Sequence, residues 1–436
     1  MPSTPAATSD AKQGRAPVLD LRSIRRDPEA ARAALARRGD GVAQALDELL
    51  SLDARRRELL PQLEDLRAEQ NRASEEIAEA KRAGGDAAEA IAAMREVAAR
   101  VKQLQGEVVA VDELLGGAMA VIPNLPADSA PEREEVVVRE VGEAGARGRD
   151  HLELLDGLVD MEAGARVAGS RFSYLRGPLV LLELALVRFA VDRLGAHGFE
   201  PVIPPVLVRE EAMFGTGFLP DTEQQIYRVA DDDLYLVGTS EVPLASLHAG
   251  EILPEEELPR RYAGFSTCFR REAGAGGRDT RGIFRVHQFD KVEMFAFVAP
   301  EDSEGEHERI LAIEEEIMQA LEIPYRVVNI PAWDLGASAA KKYDVEAWLP
   351  GQERYRELTS CSNTTDFQAR RLDARMRPAG GGSPRHVHTL NGTAVAVGRT
   401  IIALAENGQS EDGTVRLPQA LAAYGAPEAI PPSGGR

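Results

Sequence analysis

From Gly41 to Leu115 the chain contains no aromatic residue and is dominated by Ala, Leu, Glu and Arg. No other segment limits the possible folds so strongly. Leu49, Arg56, Leu63, Gln70 and Ile77 recur every seven residues, offset by three from Leu52, Leu59, Leu66, Ala73 and Ala80. Further on, Met94, Val101, Val108 and Leu115 interleave with Val97, Leu104 and Val111. Between the two series, Ala83-Gly84-Gly85-Asp86 is a reversal signal with Asp86 as candidate N-cap. Apolar positions with this period predict two antiparallel helices wound as a coiled coil. At ~1.5 Å per residue, about forty residues span roughly 60 Å, so such a hairpin cannot fold back into a compact domain. Pro61 lies inside the first series, where it removes a backbone donor and crowds the carbonyl four residues earlier. The heptad phase is the same on both sides, which predicts a kink near Arg57 to Pro61 rather than a helix end.

Charge narrows the classes of partner. Lys and Arg total 51 and Asp and Glu 71, a formal charge of -20. That counts against general affinity for nucleic acid or anionic membranes, and no membrane partner is expected, though a nucleic acid that meets only a local patch remains compatible. From Leu52 to Gln105 the balance is ten basic to eleven acidic residues. A solvated coiled-coil face accounts for those charges without any partner; the length of the lever argues for one. No apolar run approaches the ~20 residues of a membrane span. Met1 to Pro17 has no apolar stretch of signal-peptide type and is expected to be a disordered tail. Two cysteines, Cys268 and Cys361, build no disulfide framework and have no metal-ligand spacing around them, so the expected compartment is the reducing cytoplasm.

The expected organisation is a tail (1–17), an N-terminal domain (18–125) carrying the arm (about 41–115), a linker (126–149) and a catalytic domain (150–436). Leu19 to Leu35 reads as a short strand plus a helix. In the last part strands and helices mix. Leu179 to Leu194 is an amphipathic helix, and Phe199 to Val208 an edge strand interrupted by Pro201, Pro204 and Pro205. Leu234 to Val237 is a strand, Ser303 to Leu321 a helix and Tyr355 to Thr359 a strand. Gly398-Arg399 opens a helix to about Ala405.

The chemistry concentrates between Phe269 and Met294, which reads as strand, Gly-rich loop, strand. Side chains two apart share a strand face. Arg270 and Glu272 then point one way, and Arg285, His287, Phe289, Lys291 and Glu293 share a face. Such charges could be a solvated surface, but an aromatic ring among them suits a polyanion with a planar ring, and ATP is the obvious candidate. Arg270 and Arg399 stand beside Gly-rich turns, and the planar guanidinium matches phosphate oxygens. Either could equally be a structural ion-pair partner. Thr239 and Glu241 share a face, and Glu357 and Ser360 flank Leu358 and Thr359. A carboxylate plus a hydroxyl is a donor set for Mg²⁺, though an acidic strand end is an equal reading on spacing alone. His386 and His388 lack a third ligand, so no zinc is expected. Gly274-Ala275-Gly276-Gly277 lacks the Lys of a Walker loop and reads as a mobile loop.

These segments together resemble the bacterial seryl-tRNA synthetases, a class II family. The likeness runs from Leu19 to about Gly425 and rests on Thr239-Ser240-Glu241, Phe269 to Glu293, Glu357-Leu358-Thr359-Ser360 and Leu390 to Arg399. It implies an α+β fold: an antiparallel-sheet catalytic domain flanked by helices, with an N-terminal coiled-coil arm, assembled as a homodimer. It implies that ATP, with Mg²⁺, and L-serine form seryl-adenylate, and that tRNA(Ser) accepts the seryl group, with tRNA(Sec) an open second acceptor. Arg270 would hold the α-phosphate and the serine carboxylate, and Glu272 the adenine side. Phe289 and Arg399 would sandwich the adenine, with Val286 adding backbone contacts and Arg399 meeting the γ-phosphate. The motif also places Arg271, Arg285, Leu358 and Thr359 at the nucleotide. Glu357 and Ser360 would bind Mg²⁺. Thr239, Ser240 and Glu241 would hold the substrate amino end, and Glu293 and Thr393, supported by Asn391, would read the serine hydroxyl. The family more often has glycine at the position of Ala394, and Pro378 to Ser383 is a candidate insertion. An alternative is a paralogue that activates serine for a metabolite or carrier protein. A binding protein without activity is a third reading, and the presence of Arg270, Glu272, Glu357 and Arg399 argues against it.

Overall fold

The structure is a computed structural model that describes residues 20–220, 225–273 and 282–432. The expected tail and Gly274–Gly277 lie outside the described residues. The chain divides into two units at Ile122/Pro123.

In the first unit, helices α1 (Leu21–Arg26) and α2 (Pro28–Ala36) precede the long helices α3 (Val42–Arg82) and α4 (Ala88–Val121). The short strand expected near Leu19 is instead helix. The Asp20 carboxylate accepts from the Arg22 and Ser23 amides, Asp27 caps α2, and Pro28 occupies its first turn. Every expected heptad position is buried or half-buried, from Leu49 to Ala80 and from Met94 to Leu115. Leu59, Leu63, Val101 and Val108 form the buried seam. α3 runs unbroken through Pro61, whose ring sits on the exposed side. Asp86 accepts from the Ala88 amide at 2.9 Å, but the N-cap of α4 is the next residue, Ala87, which has no side-chain cap. Asp53, almost fully buried in α3, accepts from Arg25 and Arg57.

The second unit is built on an eight-stranded sheet. Its strands are β1 (Val136–Val141), β2 (Glu200–Val202), β3 (Arg260–Phe269), β4 (Gln288–Val298), β5 (Tyr325–Asn329), β6 (Lys341–Leu349), β7 (Arg354–Asn363) and β8 (His388–Ala396). Their order is β1-β5-β6-β7-β8-β4-β3-β2, antiparallel except for the parallel β2–β3 pair. Helices α5 (Pro178–Ala196), α6 (Ser303–Ala320) and α7 (Val397–Asn407) bury one face against Val292, Met294, Val345, Leu390 and their neighbours. The amphipathic helix expected at Leu179 to Leu194 is α5. Two expectations change. The expected linker contains β1, an edge strand whose Val136–Val138 stay exposed. Phe199 to Val208 is two strands in two sheets, β2 and Leu207–Arg209, because the Pro204-Pro205 pair between them supplies no ladder donors. Among the described residues no helix is long and apolar enough to cross a membrane.

Candidate active site

The face of the sheet opposite α6 holds a cavity of about 760 Å³. Its walls come from the β3–β4 hairpin, β6, β7, β8 and the first turn of α7. Two β-bulges shape it. On β7, Glu357 pairs with Glu346 and Thr359 with Val345, so Leu358 is an extra residue. On a regular strand Glu357 and Ser360, three apart, would face opposite ways. The bulge shifts the phase, and both line the cavity while Leu358, which borders it too, packs its side chain into the apolar core. On β8, Thr393 pairs with Glu293 and Val395 with Val292, leaving Ala394 as the extra residue. Asn391, Thr393 and Ala396 face the cavity, and Ala394 and Val395 face the core.

β3 ends at Phe269, so Arg270 and Glu272 do not share a strand face as expected. Glu272 reaches the cavity from a left-handed backbone, φ 50°. Its Oε2 lies 3.4 Å from Arg285 Nε. Arg270 donates from Nε to the Gly238 carbonyl at 3.3 Å, and its guanidinium carbon sits 5.3 Å from the Phe289 ring centre. Arg399 lies 4.7 Å from the Phe284 ring centre, with Arg356 at 3.8 Å from the same ring. Arg399 also donates to the Glu357 carbonyl at 2.9 Å and lies 3.4 Å from its carboxylate. Burial opposes charge on Glu357, but Arg399, Lys342 and Arg270 outweigh it and hold the carboxyl down to about 2.

At the other end, Glu241 begins a short helix, Glu241–Ala245, rather than continuing a strand. Its carboxylate accepts from Gln368 Nε2 at 2.7 Å, and its amide donates to Thr239 Oγ1 at 3.2 Å. Burial, then the nearby Glu293 charge, pushes Glu241 up to about 7, against hydrogen bonds from Gln368 and Asn391 and the charge of Lys291. Glu293 is also raised by burial, and Lys291 and Arg270 partly offset this. It forms an ion pair with Lys291, and Thr393 Oγ1 donates to its Oε2 at 3.4 Å.

Of the sequence-predicted residues, Thr239, Glu241, Arg270, Glu272, Arg285, Val286, Phe289, Glu293, Glu357, Leu358, Thr359, Ser360, Asn391, Thr393 and Arg399 line this one cavity. Ser240 does not: its hydroxyl is fully buried against Ser266 Oγ at 2.7 Å. Arg271 does not line it either; its amide donates to the Gln225 carbonyl at 2.8 Å. His287, expected on the charged face, turns away to bond the Arg270 carbonyl and pack on Phe172. The sequence reading missed Lys342, Phe284 and the supports Asp344 and Gln368. Lys342 and Asp344 alternate along β6 and pair at 2.8 Å. That period-two spacing was the available signal. Among the described residues no group of three or more His, Cys, Asp or Glu could hold a metal.

Residues 226–408 match the tRNA synthetase class II core domain (G, H, P, S and T), and residues 18–126 match the seryl-tRNA synthetase N-terminal domain. The serine–tRNA ligase of Rubrobacter xylanophilus is 50% identical over 95% of this chain and 100% of its own length. This chain belongs to the seryl-tRNA synthetase family. The serine–tRNA ligase of Thermobifida fusca is 49% identical over 95% of this chain and 99% of its own. The seryl-tRNA synthetase of Pyrococcus horikoshii, solved with ATP, superposes with a TM-score of 0.90 at 44% identity, covering 95% of this chain and 99% of that one. A prolyl-tRNA synthetase from Giardia lamblia, 17% identical with a TM-score of 0.55, shares the fold over 62% of this chain and 53% of its own.

Proposed function

We propose that this protein activates L-serine with ATP and transfers the seryl group to tRNA(Ser). The observation that carries this is the gathering of Arg270, Glu293, Glu357, Thr393 and Arg399, drawn from distant parts of the chain, around a single cavity. An oxygen of the serine carboxylate attacks the α-phosphorus, and the bond to pyrophosphate breaks. The terminal ribose hydroxyl of tRNA then attacks the serine carbonyl, and AMP leaves. The first step asks little of a general base; positioning and charge neutralisation dominate.

Arg270 suits the α-phosphate and serine carboxylate, and Arg285 and Arg399 suit the outer phosphates. The ring of Phe289 and the guanidinium of Arg399 would hold the adenine between them, with Val286 alongside and Glu272 at its polar edge. Lys342 adds a cation beside the metal position. Glu357 and Ser360 would hold Mg²⁺; a carboxylate kept ionised next to a hydroxyl is an all-oxygen donor set that fits it. Bound there, the ion would neutralise phosphate charge. Glu241 and Thr239 would receive the substrate ammonium. Glu293 and Thr393, backed by Asn391, would read the hydroxyl. Alanine would leave those buried groups unpaired, which is a strong form of rejection.

The helical arm is the tRNA-binding element in this reading, and tRNA(Sec), which also accepts serine, is a second acceptor. Exposed Val180, Leu181 and Leu184 on α5, with Ile203 at 82% exposure beyond β2, support a homodimer. The activity belongs in the cytoplasm. Serine-dependent exchange between ATP and pyrophosphate without tRNA tests the proposal; its absence in folded protein with Mg²⁺ would overturn it.

A further inference from the structure

Glu314, in the middle of α6, is fully buried on the core side of the sheet, directly behind the cavity. Apolar neighbours alone would make a carboxyl there costly. Its Oε2 accepts from Thr359 Oγ1 at 3.1 Å. The backbone of Thr393 interacts with the same carboxyl, while Oε1 makes no full hydrogen bond among the described residues. Thr359 and Thr393 each flank one of the two bulged residues, Leu358 and Ala394. Gly392 makes the approach possible. A Cβ there would lie 2.9 Å from Glu314 Oε1 and 2.4 Å from Ile310 Cγ2, so any side chain would push α6 off the strands.

We infer that Glu314 is a positioning residue that ties the two bulged strands together from behind and so sets the nucleotide side and the serine side of the cavity at once. A bulge interrupts the ladder and leaves backbone without its usual cross-strand partner. Here one side chain hydrogen-bonds beside the first interruption and packs against Gly392, two residues before the second. Through Thr359 it steadies the turn of β7 that aims Glu357 and Ser360. Through Thr393 it steadies the strand that meets Glu293. Burial, and next the charges of Glu293 and Asp344, push its carboxyl well above the usual range, against the Thr359 hydrogen bond. Glutamine keeps the side-chain oxygen that accepts from Thr359 Oγ1 and is its close substitute. Glu314 touches no substrate in this arrangement.

The inference rests on the functional reading above, and the test separates the two. Serine and ATP affinities are measured independently by calorimetry on the full-length protein and on Glu314→Leu, Glu314→Gln and Thr359→Val, with thermal unfolding in parallel. Glu314→Leu is expected to weaken both ligands by about fivefold or more, the equivalent of one lost hydrogen bond. Glu314→Gln recovers most of both losses, and Thr359→Val weakens ATP more than serine. If Glu314→Leu folds and keeps both affinities within about twofold, Glu314 is only a core residue and the inference fails. If that variant does not fold, Thr359→Val and Glu314→Gln decide: unchanged ATP affinity in Thr359→Val together with loss in Glu314→Gln overturns it. Wild-type protein that binds neither ligand would instead sink the functional reading.

Discussion

Glu241 carries a conflict between stability and function that Glu241→Gln should separate. The ordinary value of a glutamate is 4.5, and burial pushes Glu241 up to about 7. Between those values the folded protein keeps a proton that the unfolded chain has released. Its contribution to stability is therefore fully present below pH 4.5 and is lost as pH rises through about 7. At ~1.4 kcal/mol per pH unit the loss amounts to ~3 kcal/mol. Glutamine cannot ionise, and its carbonyl can still accept from Gln368 Nε2, now 2.7 Å from Glu241 Oε1. The variant should match the wild type near pH 4.5 and exceed it by up to ~3 kcal/mol at pH 8, read from urea titrations at several pH values. The serine ammonium would lose its counter-charge. Breaking one side of a buried charge pair costs about 2–4 kcal/mol, so kcat/KM for serine in pyrophosphate exchange should fall roughly 30- to 1000-fold. ATP affinity should not change. A stability difference that stays flat from pH 5 to 8 would refute the raised carboxyl. An unchanged serine KM would refute its role at the ammonium.

Thr393→Ala removes the hydroxyl that donates to Glu293 and should raise the serine KM by about tenfold, with the ATP KM unchanged; steady-state exchange measures both. Glu357→Gln should raise the Mg²⁺ concentration needed for half-maximal exchange by about tenfold or more, whereas the wild type, with this carboxyl held down to about 2, should show no such rise between pH 8 and 5. Replacing 42–121 by a short turn should leave exchange intact and abolish tRNA charging, checked by aminoacylation of tRNA(Ser) transcripts; surviving charging would remove the arm from tRNA recognition.

The arm was legible because a heptad seam is a pure periodicity, and each of its positions from Leu49 to Leu115 is buried or half-buried. Helix α5 was legible for the same reason. The cavity was legible in composition but not in geometry. Glu357 and Ser360 share a wall only because Leu358 is an extra residue, and bulges carry no fixed sequence signature. Ser240 followed its motif neighbours in the reading, but the turn into Glu241–Ala245 points its hydroxyl at Ser266. The helix at Leu21–Arg26 hid because six residues are too few for a period, and its signal was the Asp20 cap. β1 hid in an acidic stretch because an edge strand exposed on both faces has no alternation to display.

Each bulge works as a counter advanced by one, so every position beyond it on that strand owes its orientation to a single added peptide unit. Deleting Leu358 or Ala394 would leave all the reactive side chains in the gene but turn the positions on one side of the deletion, on that strand, to the wrong face of the sheet. For this architecture the most damaging small genetic lesion is a lost codon outside the motif residues, and libraries meant to reshape its selectivity should vary chemistry while keeping chain length fixed.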